Sequence, residues 1–436
     1  MKKYCLFFSL FLVMPFLLFS AGFDIGGEIV GASNFTLNTE NPANSEFGGS
    51  VSLAPLFIAE AEGISCTAEP IFIFDCAAGS AELSLRSLTV ESFLFNFLQI
   101  KAGKYNHLPG KGYLGTCTNY FHQMDLNSFF SGSPENSYSP AYLAEIAAFP
   151  GNWYVRALAS LYPVTPQLPD PGSLWFPWAK VPESITIEYD GQIRELALAD
   201  VKIDETETAG PFLKNISLSA EFGGAFSFFD FSCHYYHGID NTMVLKTRLD
   251  FPSGFLRFYD LILSPKITVI DAFGINSEAM LGGLQLWSTA SFVPSKTLAT
   301  RTFAELTQAN LFDEVKYLEY TGGASYTFQY PSIYIAAEAR HAWAFPWKED
   351  LVMPFYHSLA GGLVSADFFS GSFSAGAVYL LSLSDFSSSA VLSAVYRPLL
   401  ELEVRFYLPL FFGKAGTDFG MYKENFTAGL SFSFFF

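Results

Sequence analysis

Apolar and polar residues alternate with period two along most of this chain, most clearly in its last thirteen residues, ENFTAGLSFSFFF. Side chains on an extended strand point alternately to its two faces. Phe426, Ala428, Leu430, Phe432, Phe434 and Phe436 therefore share one face, and Thr427, Gly429, Ser431 and Ser433 the other. A strand with one greasy and one wet face suits a wall with lipid outside and water inside. The same alternation recurs at 81–85, 98–103, 216–222, 320–330, 372–382 and 400–408, and from about 317 to 436 it reads as a continuous antiparallel meander. Tight turns are expected at Gly223-Gly224, Ser370-Gly371, Ser384-Asp385 and Arg397-Pro398. The polar faces carry Glu82, Lys101, Glu319, Glu338, Arg340, Glu401, Glu403 and Arg405. An apolar core would take such groups only at a heavy cost, and a water-filled lumen removes that cost. These eight residues are candidate pore-lining groups.

Three stretches interrupt the meander, near 105–140, 163–211 and 294–315. The second is Pro-rich, contains Trp175-Phe176-Pro177-Trp178, and holds a hairpin signal: two alternating runs, 185–189 and 192–198, flanking Asp190-Gly191. That hairpin either belongs to the wall or projects from it. In the third, Thr302 and Glu305 fit a capping box opening a short helix, Phe303 to Gln308. Long loops of transmembrane barrels lie on the external side, so all three stretches are expected outside or folded inward. The fold class is all-β: one transmembrane antiparallel barrel over 23–436, of 14 to 18 strands with 16 preferred. Such a barrel needs an even count when both ends lie on one side.

The final strand, with its alternating aromatics and carboxy-terminal Phe436, resembles the closing strand of bacterial outer-membrane β-barrels. That resemblance implies residence in outer-membrane lipid. It also implies that Phe432, Phe434 and Phe436 form the signal read by the barrel-assembly machinery. The run from Gly103 to Gly115, GKYNHLPGKGYLG, resembles the segment after an early strand in substrate-selective porins. There, Gly-Arg/Lys-Gln and a Trp-Gly-x-Gly run lead into a constriction loop. Gly103, Lys104 and Gly110-Lys111-Gly112 match, while Leu108-Pro109 stand in place of the Trp. The resemblance implies that Lys104, His107 and Lys111 line the narrowest point; the alternative is an exposed turn with solvated lysines.

Met1, Lys2 and Lys3, the apolar run from Tyr4 to Phe19 and then Ser20-Ala21-Gly22 have the order of a secretory signal peptide over 1–22, with cleavage expected after Ala21 or Gly22. Half of the 436 residues are hydrophobic and 48 are Phe, yet no later charge-free run reaches the length of a membrane helix. The net charge of −18, about −20 without Lys2 and Lys3, argues against nucleic-acid binding, which uses Lys and Arg. Acidic groups facing a pore would favour cations. Cys66, Cys76, Cys117 and Cys233 remain after cleavage and allow three pairings, with Cys66 and Cys76 closest in sequence.

Cys233, His234 and His237 form a Cys-His-x-x-His cluster, but on a strand Cys233 and His234 face opposite ways, and Tyr235 and Tyr236 read as an interfacial aromatic belt. No metal site or cofactor is expected. The tryptophan clusters at 175–178 and 343–347 read as girdle or loop aromatics. His107, His122, His234, His237, His341 and His357 occupy no local catalytic signature, so no enzyme is expected. The expected function is passive diffusion of small solutes through an outer-membrane channel, with homo-oligomers possible. One alternative is a plugged barrel resembling fatty-acid transporters, whose Asn-Pro-Ala is matched by Asn41-Pro42-Ala43 although 23–32 already reads as a strand. Another is a surface adhesin or structural barrel.

Overall fold

The computed structural model describes residues 22–38, 46–61, 63–76, 79–112, 116–122, 138–162, 181, 183–189, 192–203, 216–242, 244–250, 258–300, 312–329, 332–349, 351, 353 and 356–436. The signal-peptide run, Cys5, Asn41-Pro42-Ala43, Asp190-Gly191, the Trp175 cluster and the capping box at Thr302 lie outside the described residues. Twenty-two strands follow in order among the described residues. The first eleven are β1 (Gly22–Asn38), β2 (Glu46–Ala61), β3 (Ile64–Asp75), β4 (Ser80–Leu94), β5 (Leu98–Tyr105), β6 (Ala141–Ala148), β7 (Trp153–Tyr162), β8 (Ser184–Tyr189), β9 (Gln192–Ile203), β10 (Ser217–Ala225) and β11 (Phe229–Ile239). The remainder are β12 (Val244–Asp250), β13 (Phe258–Lys266), β14 (Val269–Leu281), β15 (Leu284–Ala299), β16 (Phe312–Gln329), β17 (Ser332–Phe345), β18 (Tyr356–Phe368), β19 (Phe373–Ser382), β20 (Ser388–Leu399), β21 (Leu402–Phe412) and β22 (Asn425–Phe435).

All but β8, β9, β12 and β13 join one antiparallel sheet of eighteen strands, each paired with its neighbours, and β22 pairs with β1 to close it. Gly27 and Phe436 complete the seam by exchanging backbone hydrogen bonds of 2.9 and 3.0 Å. Closure leaves no unpaired edge, which a strand in lipid requires. The expected sixteen strands become eighteen. A strand such as β6, where Glu145 is the one polar residue among inward Ala141, Leu143 and Ala147, shows little of the wet face by which alternation marks a strand. The outward face follows the expected parity: Phe426, Leu430, Phe432, Phe434 and Phe436 of the closing segment are exposed on the outside, while Asn425 and Thr427 are buried inside.

Connections of two to four residues link the wall strands at one rim, and all longer ones lie at the other. Ser370-Gly371 and Ser384-Asp385 are turns, as expected. Gly223-Gly224 is not: β10 runs on through it to Ala225, and the chain turns at 226–228. Arg397-Pro398 is a bulge within β20, with the turn displaced to Leu400-Glu401. Glu401 therefore sits in a rim turn and not on the inner wall. Cys66 and Cys76 lie at opposite ends of β3 and its rim, ten positions apart on an extended chain, far beyond disulfide reach. All four cysteines are free thiols.

The hairpin of the second excursion projects from the wall. β8 pairs with β9, β9 runs parallel to β13, and β13 pairs with β12, so two long-rim connections build one small mixed sheet. Ile185, Leu196, Val201, Tyr259, Leu261 and Leu263 form its buried cluster.

Candidate functional site

The lumen is the candidate site, and its two halves differ. Beyond β5 the chain turns back into the barrel, and Cys117, Thr118, Asn119, Tyr120, Phe121 and His122 are buried there against β11, β14 and β15. Tyr120 stacks on Tyr236 with centroids 4.8 Å apart, and Phe121 meets the same ring edge-on at 5.3 Å. Tyr120 and Ser291 hydroxyls lie 2.7 Å apart, and the Thr118 hydroxyl donates to the Asn276 side-chain oxygen, Oδ1, at 2.9 Å. Tyr236 thus anchors the inward loop; only Tyr235 faces outward as a belt residue should. Two glycines make the seat possible. A Cβ on Gly274 would lie 2.6 Å from the Thr118 methyl, and Gly110, at φ +75°, would place one 2.8 Å from Asn276.

The wall under this loop carries charges of alternating sign across adjacent strands. Glu91, Lys101 and Glu145 stand in register on β4, β5 and β6, with Lys101 3.5 Å from Glu91. Arg156 on β7 then bridges Glu145 at 2.8 Å and Glu221 at 2.9 Å, and Glu221 lies directly opposite both Arg156 and His234. Tyr105 and Tyr154 hydroxyls donate to Glu145 and Glu221 at 2.9 and 2.7 Å. Paired in this way, the charges tolerate burial that isolated ones would not.

His107 joins this band from the loop, with its Nε2 3.8 Å from Glu221. Burial pushes the His107 pKa down to about 3, with the Arg156 cation adding to the shift. The His107 backbone N–H donates to His122 Nε2 at 2.8 Å, which assigns the His122 proton to Nδ1, 3.0 Å from the Ser139 carbonyl. Burial likewise lowers the His122 pKa to about 4.

Among the expected pore-lining residues, Lys101, Glu319, Glu338, Arg340, Glu403 and Arg405 point inward. Glu319 pairs with Arg340, the Trp287 indole donates to Glu338 at 2.8 Å, and Glu403 holds Arg405 at 2.9 Å and Arg397 at 3.0 Å. Glu82 has inward parity at the exposed start of β4. Lys111 reaches Gln285 and lies 5.3 Å over the Trp287 ring. Lys104, like Glu401 in its rim turn, is not on the inner wall. It shares the outward parity of Ile100, donates to the Leu85 carbonyl and lies 5.9 Å over the outward Tyr142 ring, so it serves the outer belt rather than the lumen. Cys233 and His237 face outward while His234 faces inward, so the Cys-His-x-x-His residues do not converge. His237 pairs instead with Asp271 at 2.9 Å.

Glu145, Arg156, Glu221, Asp240 and Lys296 were not singled out from sequence. Cross-strand register, which alternation does not supply, is the signal that groups them.

No protein-family model matches the chain, and no curated protein does. Among solved structures it is similar to OccK8 (OprE) of Pseudomonas aeruginosa, at 8% identity over 95% of this chain and 98% of that one, with a TM-score of 0.53. It also aligns with OmpF of Salmonella typhi, solved with daunomycin, at 9% identity over 96% and 98% of the chains and a TM-score of 0.44. An anion-selective porin from Comamonas acidovorans aligns at 10% identity over 96% and 100%, with a TM-score of 0.43. The closed wall and the OccK8 alignment define the fold as a porin-type β-barrel.

Proposed function

We propose that this protein is a channel of the bacterial outer membrane through which small water-soluble solutes diffuse passively. The supporting observation is the closed eighteen-strand wall, apolar outside and lined inside by hydroxyls, glycines and paired charges. Barrels of sixteen to eighteen strands leave an aqueous passage unless loops fill it. Here the inward loop covers one side, and the path runs along the other. Export by the signal peptide over 1–22, insertion by the barrel-assembly machinery through Phe432, Phe434 and Phe436, and a surrounding shell of outer-membrane lipid belong to the same proposal.

Single-channel recording of the refolded protein in planar bilayers, with reversal potentials in a salt gradient, tests it. Stable conductance steps with a cation preference are expected from the acidic lumen. Folded, inserted protein that passes no current would overturn the channel reading and turn attention to the plugged transporter and the adhesin.

A further inference from the structure

The wall is not equally held at every seam. β1 and β2 pair without a break from Gly22 to Thr36, and their backbones pack closely enough that a Cβ on Gly27 would lie 2.8 Å from the Pro55 Cα. Across the other edge of β2, the ladder to β3 is interrupted. Leu53 pairs with Phe72 and Phe57 with Ala68, but 54–56 and 69–71 between them are unpaired, and the register sets Pro55 directly opposite Pro70. Successive residues of a strand direct their N–H and C=O groups to alternate neighbours. Gly49 accepts from the Cys76 N–H across this seam, so the odd positions of β2, Pro55 among them, face the even positions of β3, Pro70 among them. Proline has no N–H, so both hydrogen bonds that belong at this position are missing and two carbonyls confront one another.

The flanking pairs stand four positions apart, which leaves ~13 Å of strand unpinned. The break lies at lipid depth, because Ile29, Leu53 and Phe72 around it are exposed on the outer face. Lipid supplies no donor for the stranded carbonyls. The lumenal side is apolar as well: Leu56, Ile58, Ile71 and Ile73 lie on the inner faces of the two strands and are partly accessible there. Glu69, the charged residue within the break, is engaged by Arg86 at 2.7 Å. One strand further on, a comparable defect is repaired. Leu85 lies beyond the end of the β4–β5 ladder, and its carbonyl accepts from Lys104. Central strands ordinarily exclude proline, so two of them face to face mark this seam as the weak line of the wall.

We infer that the wall parts between β2 and β3, and that apolar solutes cross there between the lumen and the surrounding lipid. Both sides of the break offer such a solute apolar side chains, whereas an ion or a sugar would give up its water for groups that cannot hydrogen-bond to it. Parting costs little backbone hydrogen bonding, because the bonds at the centre of the break are already absent. The inference goes beyond the channel reading: it adds a sideways exit for a class of solute that an aqueous path does not favour.

Uptake of N-phenyl-1-naphthylamine, an uncharged dye that fluoresces on reaching lipid, tests the assignment in cells carrying the protein in their outer membrane. Wild type is expected to take up the dye faster than cells without the protein. Pro55→Val/Pro70→Val returns both N–H groups and lets the ladder close. Uptake should then fall to the level of cells without the protein, while the single-channel conductance of the purified variant stays unchanged. Equal uptake in wild type and variant, or none above cells without the protein, overturns the inference. If folded protein carries no current, the channel reading fails by itself and the uptake comparison still decides this one. Amide hydrogen exchange on the detergent-held protein reads the seam directly. Leu53, Phe57, Ala68 and Phe72 should exchange faster than Glu28, Ala54 and Leu56, whose amides face the intact β1–β2 seam. Equal protection at the two seams in wild type overturns the inference, whether or not the variant folds.

Discussion

Two arcs of one wall carry the same alternation and meet different fates. From β6 to β17, inward side chains such as Leu143, Glu145, Tyr236, Asn276 and Glu338 are buried under the inward loop and its neighbours. From β18 through the seam to β4, inward groups such as Ser393, Val395, Arg405, Ser431 and Arg86 stay partly open. On the first arc, polar residues behave as in a protein core, where every partner counts; on the second, water supplies what the protein does not. The residue types hardly differ. What separates the arcs is whether the chain beyond Tyr105 lies over them.

The sharpest way to break this comparison is to remove a carboxylate from each arc. Glu221→Gln strips the buried Arg156 and the Tyr154 hydroxyl of a charged partner while Glu145 stays at 2.8 Å, and should destabilise the barrel by about 1 to 3 kcal/mol. Glu28→Gln removes one of the two carboxylates on Arg86, at 2.6 Å in the open arc, where Glu69 at 2.7 Å remains. That change should cost less than about 1 kcal/mol. Denaturant unfolding in detergent measures both, and equal losses would mean that the arcs are energetically alike.

A comparable effect is expected where the loop meets the wall. Gly274→Val places a side chain where Thr118 sits and should cost about 1 to 3 kcal/mol by overpacking. Because the strain falls on the seat of the loop, single-channel conductance should rise or become noisier while the wall persists. Gly362→Val adds an outward side chain on β18, where the nearest atom is 3.7 Å away, and should leave conductance unaltered. A similar change in both variants would show that the loop does not restrict the path.

Acid offers a milder way to loosen the same seat. Docked, His107 and His122 remain neutral down to about pH 3 and about pH 4. Released, each would take up a proton near pH 6.5. The released loop therefore binds more protons between those values, so docking has its full strength above about pH 6.5 and loses it as pH falls. Each histidine should weaken docking by about 1 kcal/mol between pH 6.5 and 5.5. Conductance recorded across that interval should drift upward in wild type and stay flat in His107→Gln/His122→Gln. An identical drift in the double variant would assign the effect to other groups.

The outward face of this barrel was legible from alternation alone, because lipid accepts only apolar side chains and so writes a strict period on β16, β19 and β22. The inward face was less so. Water and a packed loop both accept Ser, Thr and Gly, which is why Glu338 on the covered arc and Arg405 on the open one looked equivalent in sequence. Strands with a mostly apolar inner face, β6 with its single Glu145 among them, hid from the same test and lowered the expected count. Lys104 was assigned to the lumen through its place in a motif, although its parity with Ile100 already put it outside. Arg156, Glu221 and His234 acquire meaning only together, and 78 residues of chain separate the first from the last.

The weakest expected perturbation separates the arcs by function rather than stability. Arg405 is 37% exposed beside Glu403 on the open arc, so Arg405→Gln removes a lumenal cation without orphaning a buried charge, because Glu403 keeps Arg397 at 3.0 Å. Stability should stay within about 1 kcal/mol of wild type. The reversal potential in a salt gradient should nonetheless move toward greater cation preference, since a fixed charge beside the path acts on passing ions through water screened over only ~8 Å. Lys101→Gln makes the same charge change within the alternating band, between Glu91 and Glu145, where the neighbouring side chains pair among themselves. Its effect on selectivity should be smaller, and its cost in stability larger. If Lys101→Gln shifts the reversal potential more than Arg405→Gln does, ions travel along the banded side of the lumen, and the assignment of the open arc as the path is wrong.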